Sequence, residues 1–111
     1  MKLAIAINDS QVHEFFGSCN TFLIVTHDNG QIHSTETVFN DTETHKQRPA
    51  YLKKLGVNAL IIKGLGLTAY ELLVQNGITV YACDPIPVDD ALNRYLSGQL
   101  PIMQAPEGAH C

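Results

Sequence analysis

Large and small apolar residues alternate at the start of the chain. Leu3, Ile5 and Ile7 fall on one face of an extended segment, and Ala4 and Ala6 on the other. A segment apolar on both faces predicts a central strand covered from both sides. Thr21 to His27 predicts a second strand, with Phe22 and Ile24 opposed to Leu23 and Val25. Asp28-Asn29-Gly30 then supplies residues that accept the positive φ of a hairpin turn. A third strand, Gln31 to Phe39, is polar at His33, Thr35, Glu36 and Thr37, as suits the edge of a sheet.

Beyond Phe39 the pattern becomes an alternation of helices and strands. A polar loop, Asn40 to Glu43, leads into a short helix from His45 or Pro49 to Leu55, with Thr44 and Gln47 at capping-box spacing and Gly56 as its stop. Asn58 to Lys63 reads as a buried fourth strand through Ala59-Leu60-Ile61-Ile62. Gly64-Leu65-Gly66 turns the chain into a second helix that ends near Asn76 before Gly77, with Thr68 and Glu71 again at capping-box spacing. Ile78 to Ala82 is the fifth strand. The loop Cys83-Asp84-Pro85-Ile86-Pro87 leads into a third helix, Val88 to Ser97, before Gly98. The fourth and fifth strands, joined through a helix, are expected to be parallel with a right-handed crossover. With the first strand central, the strand order becomes 3-2-1-4-5 with helices on both faces. This is an α/β, ribonuclease-H-like arrangement with a five-stranded mixed sheet. Residues 1–100 form its single domain, and 101–111 are expected to be a loose tail.

Composition narrows the function. The 111 residues suffice for one domain that buries roughly two-thirds of its unfolded surface, so no disulfide or structural metal is needed to fold it. Its three cysteines, Cys19, Cys83 and Cys111, are odd in number and widely spaced, which argues against a disulfide framework and a zinc ribbon and for a reducing cytoplasm. Met1 to Ile7 is too short for a signal peptide, and no apolar run is long enough to span a membrane. With a net charge of -4 and no basic cluster beyond Lys53-Lys54, nucleic acid is excluded as a partner.

The expected topology gathers His13, Cys19, His45, Gly64, Gly66 and Cys83 in loops at one rim of the sheet, where the parallel strands end and the helices begin. Helix N-termini there favour an anion, and soft thiols with imidazoles suit iron, copper, zinc or a sulfide-bridged cluster. Cys83, directly after a core strand, is open to a packing role as much as to a ligand role. Cys19, in the polar Gly17-Ser18-Cys19-Asn20 loop, is harder to assign to the core, while His13 is open to being a solvated loop histidine and His45 to merely occupying the first helical turn. His110 and Cys111 form a soft-donor pair in the tail that reads equally as an ordinary chain end. His27 and His33 flank the opposite rim as surface or edge residues. Gly64-x-Gly66 lacks the third glycine of a dinucleotide fingerprint and reads first as a tight turn. Asp84, Asp89 and Asp90 fit turn and helix-start positions better than a two-metal site.

Three segments resemble one family. Val12 to Val25, VHEFFGSCNTFLIV, is similar to the entry segment of the dinitrogenase iron-molybdenum cofactor biosynthesis family, and His45 to Ile62 and Lys63 to Leu100 resemble its next two blocks. The resemblance covers about residues 1 to 100 and implies a ribonuclease-H-like fold. It also implies a non-enzymatic carrier of iron-sulfur, iron-molybdenum or other molybdenum-containing clusters. Cys19 and His45 match positions where the family places a cysteine and a histidine. The family's histidine before Phe-Gly falls on Phe15, and His13 lies two residues earlier on the same side of an extended segment.

The expected protein is therefore a metallocluster-binding accessory factor. Its metal-ligating candidates are Cys19, His45, His13 and Cys83, with Gly64, Leu65 and Gly66 shaping the pocket floor. A cluster donor or recipient metalloprotein is the expected partner, and the protein itself a monomer or weak homodimer. The alternatives are a cysteine-based redox or transfer enzyme using Cys19, and a metal-free interaction module on the same fold.

Overall fold

The computed structural model describes residues 1–16, 19–39 and 47–104. Its first strand, β1 (Lys2–Asn8), buries Leu3 to Ala6 completely, as a segment apolar on both faces requires. After β1 the chain turns at Asp9 and Ser10 into β2 (Gln11–Val12), then runs through β3 (Thr21–Asp28), β4 (Gln31–Phe39), α1 (Arg48–Lys54), β5 (Ala59–Ile62), α2 (Leu67–Gln75), β6 (Thr79–Ala82) and α3 (Val88–Leu96). The sheet order is β4-β3-β1-β5-β6, with β2 paired to β1 off this path. β1 is antiparallel to β3 and parallel to β5, and β5 is parallel to β6.

The strand alternation sets two cores. On one face Ala4, Ala6, Phe22, Ile24, Leu60 and Ile62 meet Leu52 of α1, Ala69 and Leu73 of α2, and Phe16 and Cys19 from the loop after β2. On the other, Leu3, Ile5, Val25 and Ile61 meet Ala91 and Leu92 of α3. The small side chains of β1 thus lie in the core that holds the two large rings Phe16 and Phe22, whose centroids are 6.1 Å apart. At the far rim, Asn29 (φ 52°) and Gly30 (φ 77°) form the two-residue turn between β3 and β4, both in the positive-φ region that this turn demands.

Several expectations are corrected. The sheet has six strands, not five: Ile7 pairs with Val12 and Asn8 with Gln11 across the Asp9-Ser10 turn. A two-residue strand leaves no hydrophobic period to read. Thr68 does not cap α2. Gly66, extended at φ -79° and ψ 166°, is the N-cap, and the helix has no side-chain cap bond because the chain enters it directly from the glycine turn. α1 starts at Arg48 behind Gln47, also without a side-chain cap bond. Thr44 lies outside the described residues. The expected loose tail is ordered through Met103. Ala82 N donates to Pro101 O at 3.0 Å, Met103 N to Val80 O at 2.8 Å, and Ile102 bridges Tyr81. This covers the β6 edge, whose unpaired backbone groups would otherwise face solvent.

His27 is not a surface residue. It is 8% exposed, its Nε2 lies 3.1 Å from the Tyr95 hydroxyl, and its ring meets the Tyr95 ring edge-on at 5.2 Å. His33 stands exposed on β4. Burial pushes the His27 pKa below its ordinary 6.5. Above that pH the ring is neutral in both folded and unfolded states. As the pH falls below 6.5, the unfolded chain takes up a proton that the folded one resists, so stability drops. Urea unfolding at pH 7.5 and 5.5 is expected to show this loss, with a slope of at most about 1.4 kcal/mol per pH unit for the single proton. A His27→Gln variant flattens the profile. An unchanged profile in that variant would assign the effect elsewhere.

Candidate functional site

β1, β4, β5 and β6 all run the same way, so their carboxyl ends share one rim with the start of β3. Open α/β sheets bind ligands at such a rim. The segment after β2 is laid across it. His13 N donates to Ala6 O at 2.8 Å, Lys63 N to His13 O at 3.3 Å, and Phe16 N to Gly64 O at 3.0 Å. Phe15 bridges Gly64 in parallel. Gly64 makes this approach possible, since a Cβ there would stand 3.3 Å from the Glu14 carbonyl oxygen.

The Phe16 residue is the hub of the arrangement. Its ring is fully buried, its N–H is held by Gly64, and its carbonyl accepts from Cys19 N at 3.1 Å and from the Arg48 guanidinium at 3.1 Å. Arg48 is only 7% exposed; burial dominates the pKa shifts of His13 (down) and Cys19 (up), and the Arg48 charge is a lesser downward influence on each. Sequence reasoning missed Arg48. A basic residue ahead of Pro49 in the first helical turn looks solvated until the loop after β2 is folded over it.

His13 carries a specific chemical assignment. Its Nδ1 accepts a hydrogen bond from Phe15 N at 3.0 Å, and partial burial, the largest cause, pushes its pKa down. A neutral imidazole whose Nδ1 is an acceptor bears its proton on Nε2. As it stands, His13 therefore presents an N–H donor, suited to an oxygen or sulfide of an anion, and ligates a metal through Nε2 only after giving up the Phe15 bond. Phe15 is 40% exposed on the same segment.

The two described cysteines are placed differently from the sequence expectation. Cys19 is fully buried, and its thiol donates to Thr21 O at 3.2 Å. It folds inward because its amide closes a turn on Phe16 O, which points the side chain into the core below the rim. Burial pushes its pKa up, the opposite of what an activated nucleophile needs. Cys83 is buried at the end of β6 beside a cleft of about 280 Å³ lined by Lys63, Asp84, Arg94 and Gln99, and burial raises its pKa as well. Lys63 and Asp84 form an exposed ion pair at 3.2 Å in that cleft. His45, His110 and Cys111 lie outside the described residues. Among the described residues no three His, Cys, Asp or Glu side chains stand together as a metal-holding group. Gly64, Leu65 and Gly66 do sit at the rim, and Gly66 opens the nine-residue α2 toward it.

The fold defines a small α/β domain with a glycine turn crossed by a pinned loop at the rim where its parallel strands end. Residues 1–98 match the family described as "Dinitrogenase iron-molybdenum cofactor", and the chain belongs to that family. The protein MJ0580 of Methanocaldococcus jannaschii is 30% identical over 105 residues, covering 90% of this chain and 89% of the relative. The crystal structure of PH0822 superimposes with a TM-score of 0.84 at 26% identity, covering 92% of this chain and 94% of that one. MJ0327 of M. jannaschii gives a TM-score of 0.81 at 28% identity, covering 96% and 97%. Membership of this family points to a role in cofactor assembly or binding. No described helix is long and apolar enough to cross a membrane.

Proposed function

We propose that the protein binds an anionic iron-sulfur, iron-molybdenum or other molybdenum-containing cluster at this rim and carries it to a recipient metalloprotein in the cytoplasm, without itself catalysing a reaction. The observation that carries the reading is the His13 ring. Its Nδ1 is committed to Phe15 N, and its segment is pinned to Gly64, in a chain of this family. The Nε2–H of His13 and the backbone of the Gly64 to Gly66 turn hold the cluster's outer sulfur or oxygen atoms, and the N-terminus of α2 offsets its charge. A guest held by hydrogen bonds and charge leaves more readily than one closed in four covalent ligands, as delivery requires. The ribonuclease-H-like class implied by the sequence fits the mixed sheet with helices on both faces.

Anaerobic reconstitution, with iron and sulfide or with tetrathiomolybdate and copper, tests the reading. A charge-transfer band is expected to stay with the desalted wild-type protein, to fall several-fold in His13→Ala, and to persist in Cys19→Ser, because that thiol faces the core. A wild-type protein that retains no band overturns the proposal. A band abolished by Cys19→Ser in a variant that still folds assigns the site to thiolate ligation instead.

A further inference from the structure

The chain treats the two edges of its sheet differently. At β6 it supplies its own cover, through the bonds from Met103 N and to Pro101 O and the bridge from Ile102. At the opposite edge β4 pairs with β3 alone among the described residues. It is nine residues long and exposed at every position but Val38, which is half-buried. An open edge of this kind is a template for another strand, and proteins blunt it with lysine, proline, short strands or bulges. Gln31 to Phe39 contains no Lys, Arg or Pro, and its single acidic residue is Glu36. The one irregularity is the register shift that skips His33 near the hairpin, which leaves Ser34 to Phe39 regular. Two large apolar side chains stand in solvent near the strand's ends, Ile32 at 45% and Phe39 at 62% exposure. Both lie on the α3 side of the sheet. Ile32 pairs with His27, whose ring meets Tyr95 of α3, and Phe39 alternates with Thr37 and Thr35, the partners of Leu23 and Val25 in the α3 core.

We infer that β4 is the surface through which two copies of this chain associate, antiparallel and centred on Thr35, joining two sheets into one across a two-fold axis. The sequence selects that register. Opposite residues of an antiparallel pair share a face, so the symmetric centre falls on a residue rather than between two. A centre at Glu36 sets two carboxylates directly against each other, which is destabilising. A centre at Ser34 leaves Phe39 beyond the ladder, and one at Thr37 leaves out Ile32. Centring on Thr35 sets Glu36 opposite Ser34 and carries Phe39 of each copy toward Ile32 of the other. They meet on one side of the joined sheet, because a two-fold axis perpendicular to it keeps like faces together. The two cluster rims then point to opposite ends and stay open, so the association does not depend on the cluster-binding reading. A single ladder with two apolar contacts is smaller than the standard interface of about 1,600 Å², so the dimer is concentration-dependent rather than obligate.

Sedimentation velocity from about 10 µM to about 1 mM tests this, a span that brackets a micromolar to sub-millimolar Kd. Wild type is expected to shift toward dimer as its concentration rises. Thr35→Lys and Thr35→Glu are each expected to stay monomeric, because each sets like charges opposite one another, and an equal mixture of the two to regain the dimer through unlike ones. Thr35→Val, which adds no charge, is expected to match wild type. Thr35 is exposed, so circular dichroism and melting temperature should be unchanged in the charged variants. Amide exchange along β4 in wild type reads the same contact without any substitution, as protection that grows with concentration. A wild type that stays monomeric throughout overturns the inference. So does a dimer that persists in folded Thr35→Lys or leaves the β4 amides unprotected, since the contact then lies elsewhere. A mixture of folded charged variants no more dimeric than its components overturns the Thr35-centred register.

Discussion

Phe16→Ala is expected to destabilise the protein by about 3–5 kcal/mol, the range for deleting a buried aromatic ring. The ring is fully buried among Ala6, Phe22 and the helices of one face, and the same residue's backbone N–H holds the rim loop to Gly64 while its carbonyl accepts from Arg48 and Cys19. Two effects therefore coincide in one substitution. The cavity lowers global stability, and the loop loses the side chain that presses its peptide against its partners. Chemical denaturation measures the first, and amide exchange at Phe16 and Cys19 the second. Phe16→Leu, which retains most of the volume, separates them: it is expected to be milder by more than half, while the loop amides stay protected. A cost below about 1 kcal/mol for Phe16→Ala would mean that the ring does not pack as described.

Gly64→Val carries the second large effect. A Cβ at this position stands 3.3 Å from the Glu14 carbonyl oxygen, tighter than ordinary contact, and the two methyls of valine add bulk beside the crossing strip. The neighbour is backbone, so relief requires moving residues 13–16 away from β5. That costs about 1–3 kcal/mol, the range for overpacking. If the displacement falls wholly on the bound geometry, cluster affinity drops about 5- to 150-fold. The β-sheet should survive, so the circular dichroism spectrum is expected to stay near that of wild type while the absorption band of the reconstituted protein weakens. Wild-type affinity in Gly64→Val would detach the glycine turn from the binding surface.

Much of the architecture was legible because it rests on local periods. The two-sided apolar run of β1, the alternation in β3 and the apolar stretch at Ala59 to Ile62 each announce a strand, and Asn29-Gly30 announces its turn through the positive φ that only a few residues accept. Helix ends were legible for the same reason. Gly56, Gly77 and Gly98 all take positive φ just past the helices they follow. The short β2 was not legible, since two residues display no period. Nor was the order of residues 101–103, which comes from β6 offering an open edge rather than from any pattern in Pro101-Ile102-Met103.

The site divides along the same line. The sequence alone placed His13 and the Gly64-Leu65-Gly66 turn at the rim where parallel strands end, because connectivity carries loops to that side whatever their side chains do. It could not assign the inward turn of Cys19, which follows from its amide closing on Phe16 O and from an apolar core that takes in a thiol readily. It could not read the state of His13, whose Nε2 proton is fixed by a backbone bond at Nδ1. It gave no sign that Arg48 is buried, because residues 32 positions apart meet only when the loop folds over α1. Periodicity and turn chemistry are properties of neighbours in the chain and so belong to the sequence. Burial, protonation and charge placement are properties of neighbours in space, and for this protein only the tertiary structure decided them.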